Sequence, residues 1–227
     1  MNRINQVMKL QLINKKLWFT IPWVILGVNL VINYIIALSV DTGETMNTGS
    51  ISSIYVYTFV AGTLTLKETF PFAIGLSIRR KDYFIGTALT VLFVNVVSSI
   101  ALGVMSGIEE ATNGWGVQLH LFKIGIFDNV SFIGMLGIHF SILIHAFFLG
   151  FAISSLHRRW GSMAMYTFFT ASLVLGTIAS YTMTHYGKWV DLGHWLADHY
   201  LTLFWWTIPL VMIYSIVSYG VLRRAAV

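Results

Sequence analysis

Six stretches of the chain are apolar on every side and long enough to cross a bilayer, which takes about 20 residues each. They cover residues 18–40, 51–70, 84–107, 131–155, 162–183 and 200–221. None alternates apolar and polar positions over about ten residues as the strands of a membrane β-barrel do. The pattern therefore predicts an all-α, polytopic membrane protein with six transmembrane helices in a single domain, residues 18–227. Ahead of them, residues 1–17 set Ile4, Val7, Met8, Leu12 and Ile13 among Arg3, Lys9, Lys15 and Lys16. That spacing suits an N-terminal amphipathic interfacial helix, apolar side toward the acyl chains and cations toward anionic headgroups; a plain basic tail is the alternative.

Composition agrees with this class. Of 227 residues 56% are hydrophobic and 10% charged, against about 25% charged in soluble domains, so the polar surface is too small to coat a water-soluble globule. Cysteine is absent, which removes disulfides, thiolate chemistry and Cys-based metal sites. The first apolar run starts late, is long for a signal-peptide core and is followed only by Ala37 and Ser39 as a weak cleavage match. A retained N-terminus is expected.

Charge sets an orientation. If the chain crosses six times, one side receives eleven cations: Arg3, Lys9, Lys15, Lys16, Arg79, Arg80, Lys81, Arg158, Arg159, Arg223 and Arg224. The other receives Lys123 and Lys188 with Asp41, Glu44, Glu109, Glu110, Asp128, Asp191 and Asp198. Basic residues in short loops mark the cytoplasmic face, so both termini are expected in the cytoplasm. The same distribution explains the net charge of +5 without nucleic acid as a partner.

The outer connections differ in length. Residues 41–50 are a short Gly/Thr/Asn loop, whereas 108–130 and 184–199 mix aromatics with acids. Within 187–199, Trp189, Leu192, Trp195, Leu196 and His199 fall at helical spacing, predicting an outer amphipathic element before the last span. Small residues four apart, Ser99, Gly103 and Gly107, then Ser172, Gly176 and Ser180, form ridges for close helix approach. Asn29 and Asn33 share a face of the first span and are expected to turn away from lipid, lining a substrate path or bonding a neighbouring helix. Pro209 is expected to kink the last span.

No constellation for catalysis emerges. His139 and His145 lie roughly 240° apart around a helix, so they cannot present one metal or haem face together. The centres of the spans lack Asp and Glu, the usual mark of ion-coupled transport, and Lys67 and Glu68 stand near one end of the second span. No phosphate-cradling Gly-rich loop ending in Lys-Ser/Thr is present; Gly187-Lys188-Trp189 does not match. The chain is expected to be neither an enzyme nor a cofactor or metal carrier, and any ATP-driven work needs a separate motor.

The stretch FPFAIGLSIRRKDYFIGT puts a tight cationic turn between the second and third spans. Ser77 is a plausible N-cap for a brief surface helix with Leu76, Ile78, Tyr83 and Phe84 on its apolar side. The segment resembles the connection between the second and third membrane helices of bacterial type-2 ABC exporter permeases, through Phe70, Pro71, Phe72, Ala73, Gly75, Arg79, Arg80, Phe84, Gly86 and Thr87. The resemblance implies a multi-pass subunit of the bacterial cytoplasmic membrane. Residues 75–82 (Gly75, Leu76, Ser77, Ile78, Arg79, Arg80, Lys81, Asp82) would be the coupling helix docking on a cytoplasmic ABC ATPase, and residues 1–17 the elbow helix. A second permease chain, identical or homologous, would complete the path, with ATP and Mg held by the ATPase. The cargo implied is an amphipathic molecule such as a peptide antibiotic, a drug or a lipid-like compound. The alternative function is a non-transporting membrane immunity or sensor protein, whose acidic, Trp-rich outer surface captures a cationic peptide by charge.

Overall fold

The computed structural model describes residues 3–40, 45–122 and 130–223. Asp41, Glu44, Lys123, Asp128 and Arg224 of the charge distribution lie outside the described residues. Of the described residues 88% are helical. Its helices are α1 (Arg3–Ile13), α2 (Ile21–Ser39), α3 (Ser52–Gly75), α4 (Arg80–Ala111), α5 (Phe132–His185) and α6 (Trp189–Leu222). A π-helical turn, Lys16–Thr20, leads into α2, and two short parallel strands, β1 (Met46–Asn47) and β2 (Leu119–His120), pair beyond the helix ends.

The solvent for which this sequence is built is legible in α4. Its buried positions are small or polar: Gly86, Thr87, Thr90, Asn95, Ser98, Ser99, Gly103, Ser106 and Glu109 among a few apolar ones. Its exposed positions are Leu89, Leu92, Phe93, Val96, Val97, Ile100, Val104 and Ile108. A helix in water shows the reverse arrangement. In lipid, apolar side chains gain nothing by leaving the solvent, and helices associate through close packing and hydrogen bonds among small and polar residues. The fold is that of an all-α membrane protein.

Among the described residues four helices are long and apolar enough to cross a membrane: Lys16–Ser39, Arg80–Ala111, Phe132–His185 and Phe204–Leu222. Two features separate this from the six spans expected. The third helix, α3, carries Lys67, Glu68 and several threonines, which lower its hydropathy although it packs centrally. The fifth, α5, is 54 residues long, about 80 Å at 1.5 Å per residue, more than twice the hydrocarbon thickness of about 30 Å. Gly161 breaks it, with φ 72° and ψ −165°, a conformation essentially confined to glycine. The chain can turn there between two apolar halves.

The core is a seam between α3 and the first half of α5. A Cβ on Gly62 would collide with the Phe147 carbonyl oxygen, and one on Gly150 with the Phe59 carbonyl oxygen. The two glycines thus let the backbones touch reciprocally, and Ser154 Oγ adds a bond to the Thr63 carbonyl at 3.0 Å. Trp18, Phe148 and Phe151 gather their rings around Phe147. Of the ridge predicted in the third span, Ser99 is buried and Gly103 lies against Leu136, while Gly107 meets nothing. The other ridge, Ser172, Gly176 and Ser180, is exposed along its length.

Two further expectations are corrected. The outer element at 187–199 is not separate, because α6 begins at Trp189 and continues through Pro209 to Leu222. Residues 75–82 do not form a helix of their own: α3 ends at Gly75 and α4 starts at Arg80.

Candidate functional site: the cationic end of the bundle

The turn between α3 and α4 is built by the end of α3. Ser77 adopts a left-handed conformation, φ 58°. Its N–H bonds the Ile74 carbonyl at 2.9 Å, and the Ile78 N–H bonds the Ala73 carbonyl at 3.1 Å. This pair of bonds is a Schellman motif, with the apolar contact that accompanies it made by buried Ile78 near buried Ala73. Ser77 therefore ends α3 and does not cap a new helix. The same device closes α5, where Gly187 (φ 62°) bonds Thr184 and Lys188 bonds Met183.

Arg79 is extended and precedes α4 without a side-chain cap, and Asp82 stands in the first turn, where the helix dipole favours an acid. The sequence treats Arg79, Arg80 and Lys81 as one cluster; the structure divides them. Arg80 Nη1 donates to the carbonyls of Leu222 and Arg223, both at 2.9 Å, capping α6. Arg79 and Lys81 are exposed, as are Phe72, Gly75, Leu76 and Ser77 beside them. A knuckle of cations and apolar side chains results, held at its base by three helices.

The first helix is bolted to the same end. Gly86 leaves room for Val7, whose Cβ would lie 2.6 Å from an added methyl. Gln11 is 1% exposed; its amide donates to Thr69 Oγ1 at 2.9 Å on α3 and to Thr87 Oγ1 at 3.1 Å on α4. Tyr83 Oη shares a hydrogen bond with Thr69 Oγ1 at 2.8 Å, and Trp18 Nε1 donates to the Gln11 carbonyl at 2.8 Å. Within residues 1–17, α1 turns its buried side to protein through Val7 and Gln11. Gly86, read only as part of a motif, is the notch that seats it.

Of the two expected path residues, the Asn33 side chain is engaged within the chain. Asn33 Nδ2 donates to the Asn29 carbonyl at 2.8 Å and to Ser50 Oγ at 2.9 Å, tying α2 to the start of α3; both asparagines are half-buried. His139 and His145 diverge as their spacing requires, His139 Nδ1 meeting Tyr55 Oη at 2.6 Å and His145 packing edge-on to Tyr214. Among the described residues no group of three His, Asp or Glu could hold a metal. An apolar cavity of about 420 Å³ opens between α5 and α6, lined by Ile138, Ser141, Ile144, Phe204, Trp205 and Ile208.

One polar residue was not singled out by sequence. Glu109 is fully buried, and its Oε2 accepts from Leu121 N (2.9 Å), Phe122 N (2.9 Å) and Trp115 Nε1 (3.2 Å), with His120 Nδ1 at 3.5 Å from Oε1. It holds the loop after α4, whose backbone is left-handed at Asn113, Gly114, Trp115, Gly116 and Gln118. A glutamate in a loop-proximal helix end gives no sequence sign of this.

No family model, curated protein or solved structure matches the chain.

Proposed function

We propose that the chain is the permease subunit of a type-2 ABC exporter, working with a separate ATPase to move an amphipathic molecule. The reading includes six crossings with both termini cytoplasmic in a bacterial membrane, the two apolar halves of α5 counting as two. The observation that carries it is the exposed knuckle of Arg79 and Lys81, anchored to α1, α3, α4 and the end of α6. Such a base resists bending, so force applied to the knuckle by a cytoplasmic partner reaches four helices together. Partner binding shifts a conformational equilibrium only through different affinity for the two states, which makes this docking surface the place where ATP energy enters. The apolar cavity between α5 and α6 supports an amphipathic cargo, and the uncovered faces of α2 and α5 leave room for a second permease chain.

Mild-detergent pull-down from native membranes tests it. Wild type and Arg80→Gln should bring down an ATPase, and Arg79→Glu/Lys81→Glu should lose at least ten-fold of it. If no ATPase accompanies any of the three, the permease reading fails and the peptide-binding immunity or sensor reading replaces it.

A further inference from the structure

A second cavity, about 650 Å³, lies between α3 and α5 next to the cationic end. Three nitrogen-bearing side chains line it, Lys67 from α3 with His157 and Arg158 from α5, and among the described residues no carboxylate does. Glu68 follows Lys67 in sequence but falls about 100° around the helix and is not part of the lining. The hydroxyls of the wall are already used as donors: Ser154 Oγ bonds the Thr63 carbonyl and Thr63 Oγ1 the Val60 carbonyl. The free hydrogen-bonding capacity of the cavity is thus dominated by cationic donors.

Arg158 shows that this capacity is incompletely satisfied within the chain. Its guanidinium carbon stands 4.8 Å over the Phe70 ring, a cation–π contact that fixes the group, yet its buried Nε has no hydrogen-bond partner. A buried donor of this kind is disfavoured unless something accepts from it. The remaining wall is apolar, with Leu64, Ile153 and Met165. Cationic donors at one part of a cavity and aliphatic side chains at another match a ligand with an anionic head and a hydrocarbon body. Three donor-bearing side chains favour the several oxygens of a phosphate over the two of a carboxylate. Basic cavities between membrane helices near the cytoplasmic face are a recognised means of holding phosphate headgroups.

We infer that the cavity of Lys67, His157 and Arg158 binds a phosphate-headed amphiphile. The source is either a lipid of the surrounding membrane or the cargo itself, and only the cargo arm rests on the exporter reading. Arg158 also touches the helix leading to the knuckle, since Phe70 packs edge-on to Tyr83 with ring centroids 5.1 Å apart. An occupant of the cavity therefore adjoins the base of the docking turn.

The test is binding, independent of any ATPase. The full chain is purified in nanodiscs of phosphatidylcholine with a minor share of phosphatidylglycerol, an anionic lipid of the kind that attracts juxtamembrane cations, and retained lipid is read by native mass spectrometry. Wild type should keep phosphatidylglycerol over phosphatidylcholine. Lys67→Gln should reduce that preference several-fold and Lys67→Gln/Arg158→Gln should abolish it. Arg159→Gln should leave it intact, because Arg159 stacks on Trp160 and does not line the cavity. Lys67 is exposed, so its single variant reports binding even if loss of Arg158 impairs folding. Equal retention by wild type and Lys67→Gln, or no preference in wild type, overturns the inference. Complete displacement by millimolar inorganic phosphate also overturns it, by showing an anion site with no use for the hydrocarbon body. With binding established, an exporter vesicle assay separates the sources: a phosphatidylglycerol that crosses the bilayer with ATP is cargo, and one that stays bound is a resident lipid. Failure of the ATPase pull-down leaves this binding result standing.

Discussion

The two halves of α5 are built from similar residues and lead opposite lives. Every buried residue of the helix, from Met135 to Ser155, precedes Gly161, whereas residues 166–182 are all exposed. The first half touches backbone to backbone with α3 at Gly62 and Gly150. In the second half Leu173 is 70% and Tyr181 69% exposed, and Gly176 has open space where a Cβ would go. Hydrophobicity does not distinguish them, because in lipid an apolar side chain is equally at home facing tails or protein. What distinguishes them is shape and polarity: a glycine notch opposed by another, and hydroxyls with partners across the seam. Packing in this protein is decided by where atoms can approach, and apolar composition only admits the helix to the membrane.

Glycine substitution should break this comparison most sharply. Gly150→Ala and Gly62→Ala each force a methyl against a backbone carbonyl, which cannot rotate away, so the loss should reach or pass the upper end of the about 1–3 kcal/mol typical of overpacking. Gly176→Ala should change stability by no more than about 0.5 kcal/mol. Thermal unfolding in detergent reads both. If Gly176→Ala is as damaging as Gly150→Ala, another chain covers the second half of α5 and the contrast between the halves fails.

The two regions also differ in their polar anchors. Glu109 serves three N–H donors in the packed region, and Glu109→Ala leaves the buried N–H groups of Leu121 and Phe122 without their acceptor, at about 1–3 kcal/mol each. Amide exchange at Leu121 and Phe122 should accelerate accordingly, and Trp115 emission should shift to the red. Glu109→Gln, keeping one oxygen acceptor, should show less of both; equal effects would mean that the charge and not the hydrogen bonds holds the loop.

In the exposed region the corresponding anchor is the Lys188–Asp191 pair, 2.7 Å apart and open to solvent. The hydrogen bond from Lys188, then its charge, lowers the Asp191 pKa, and the same contacts with Asp191 raise that of Lys188. Its contribution is present above the ordinary aspartate value and fades as pH falls through the lowered one; on the basic side it fades as pH rises past the raised lysine value. Exposed pairs are screened and weak. Lys188→Gln should therefore return the Asp191 titration toward that of a free aspartate, followed by carboxyl NMR shifts, with no measurable change in melting temperature.

Part of the cationic end was legible from the residues. The end of the second apolar run near Pro71 to Gly75, a helix within residues 1–17 and the cationic turn follow from local pattern, because charge and glycine punctuate apolar runs whatever their neighbours. The separate roles of Arg79 and Arg80 were not legible: they depend on the end of α6 arriving beside the turn from more than 140 positions away. Gln11 was unremarkable among polar neighbours until α3 and α4 supplied two threonine hydroxyls. Serine favours N-caps, but at Ser77 the left-handed end of α3 takes precedence.

By itself, the sequence determined that this is a helical protein built for a bilayer, where its apolar runs begin and end, and how its cations divide between loops. These are properties of transfer from water to lipid and of local backbone geometry, and each is set by a residue and its near neighbours. Only the tertiary structure decided which glycines touch, that α5 packs on one side of Gly161 and lies bare on the other, that Glu109 is buried, and that Lys67 and Arg158 share a cavity. In lipid the hydrophobic effect no longer ranks one helix face above another, so these choices rest on steric fit and hydrogen bonds between distant segments, which no local pattern encodes.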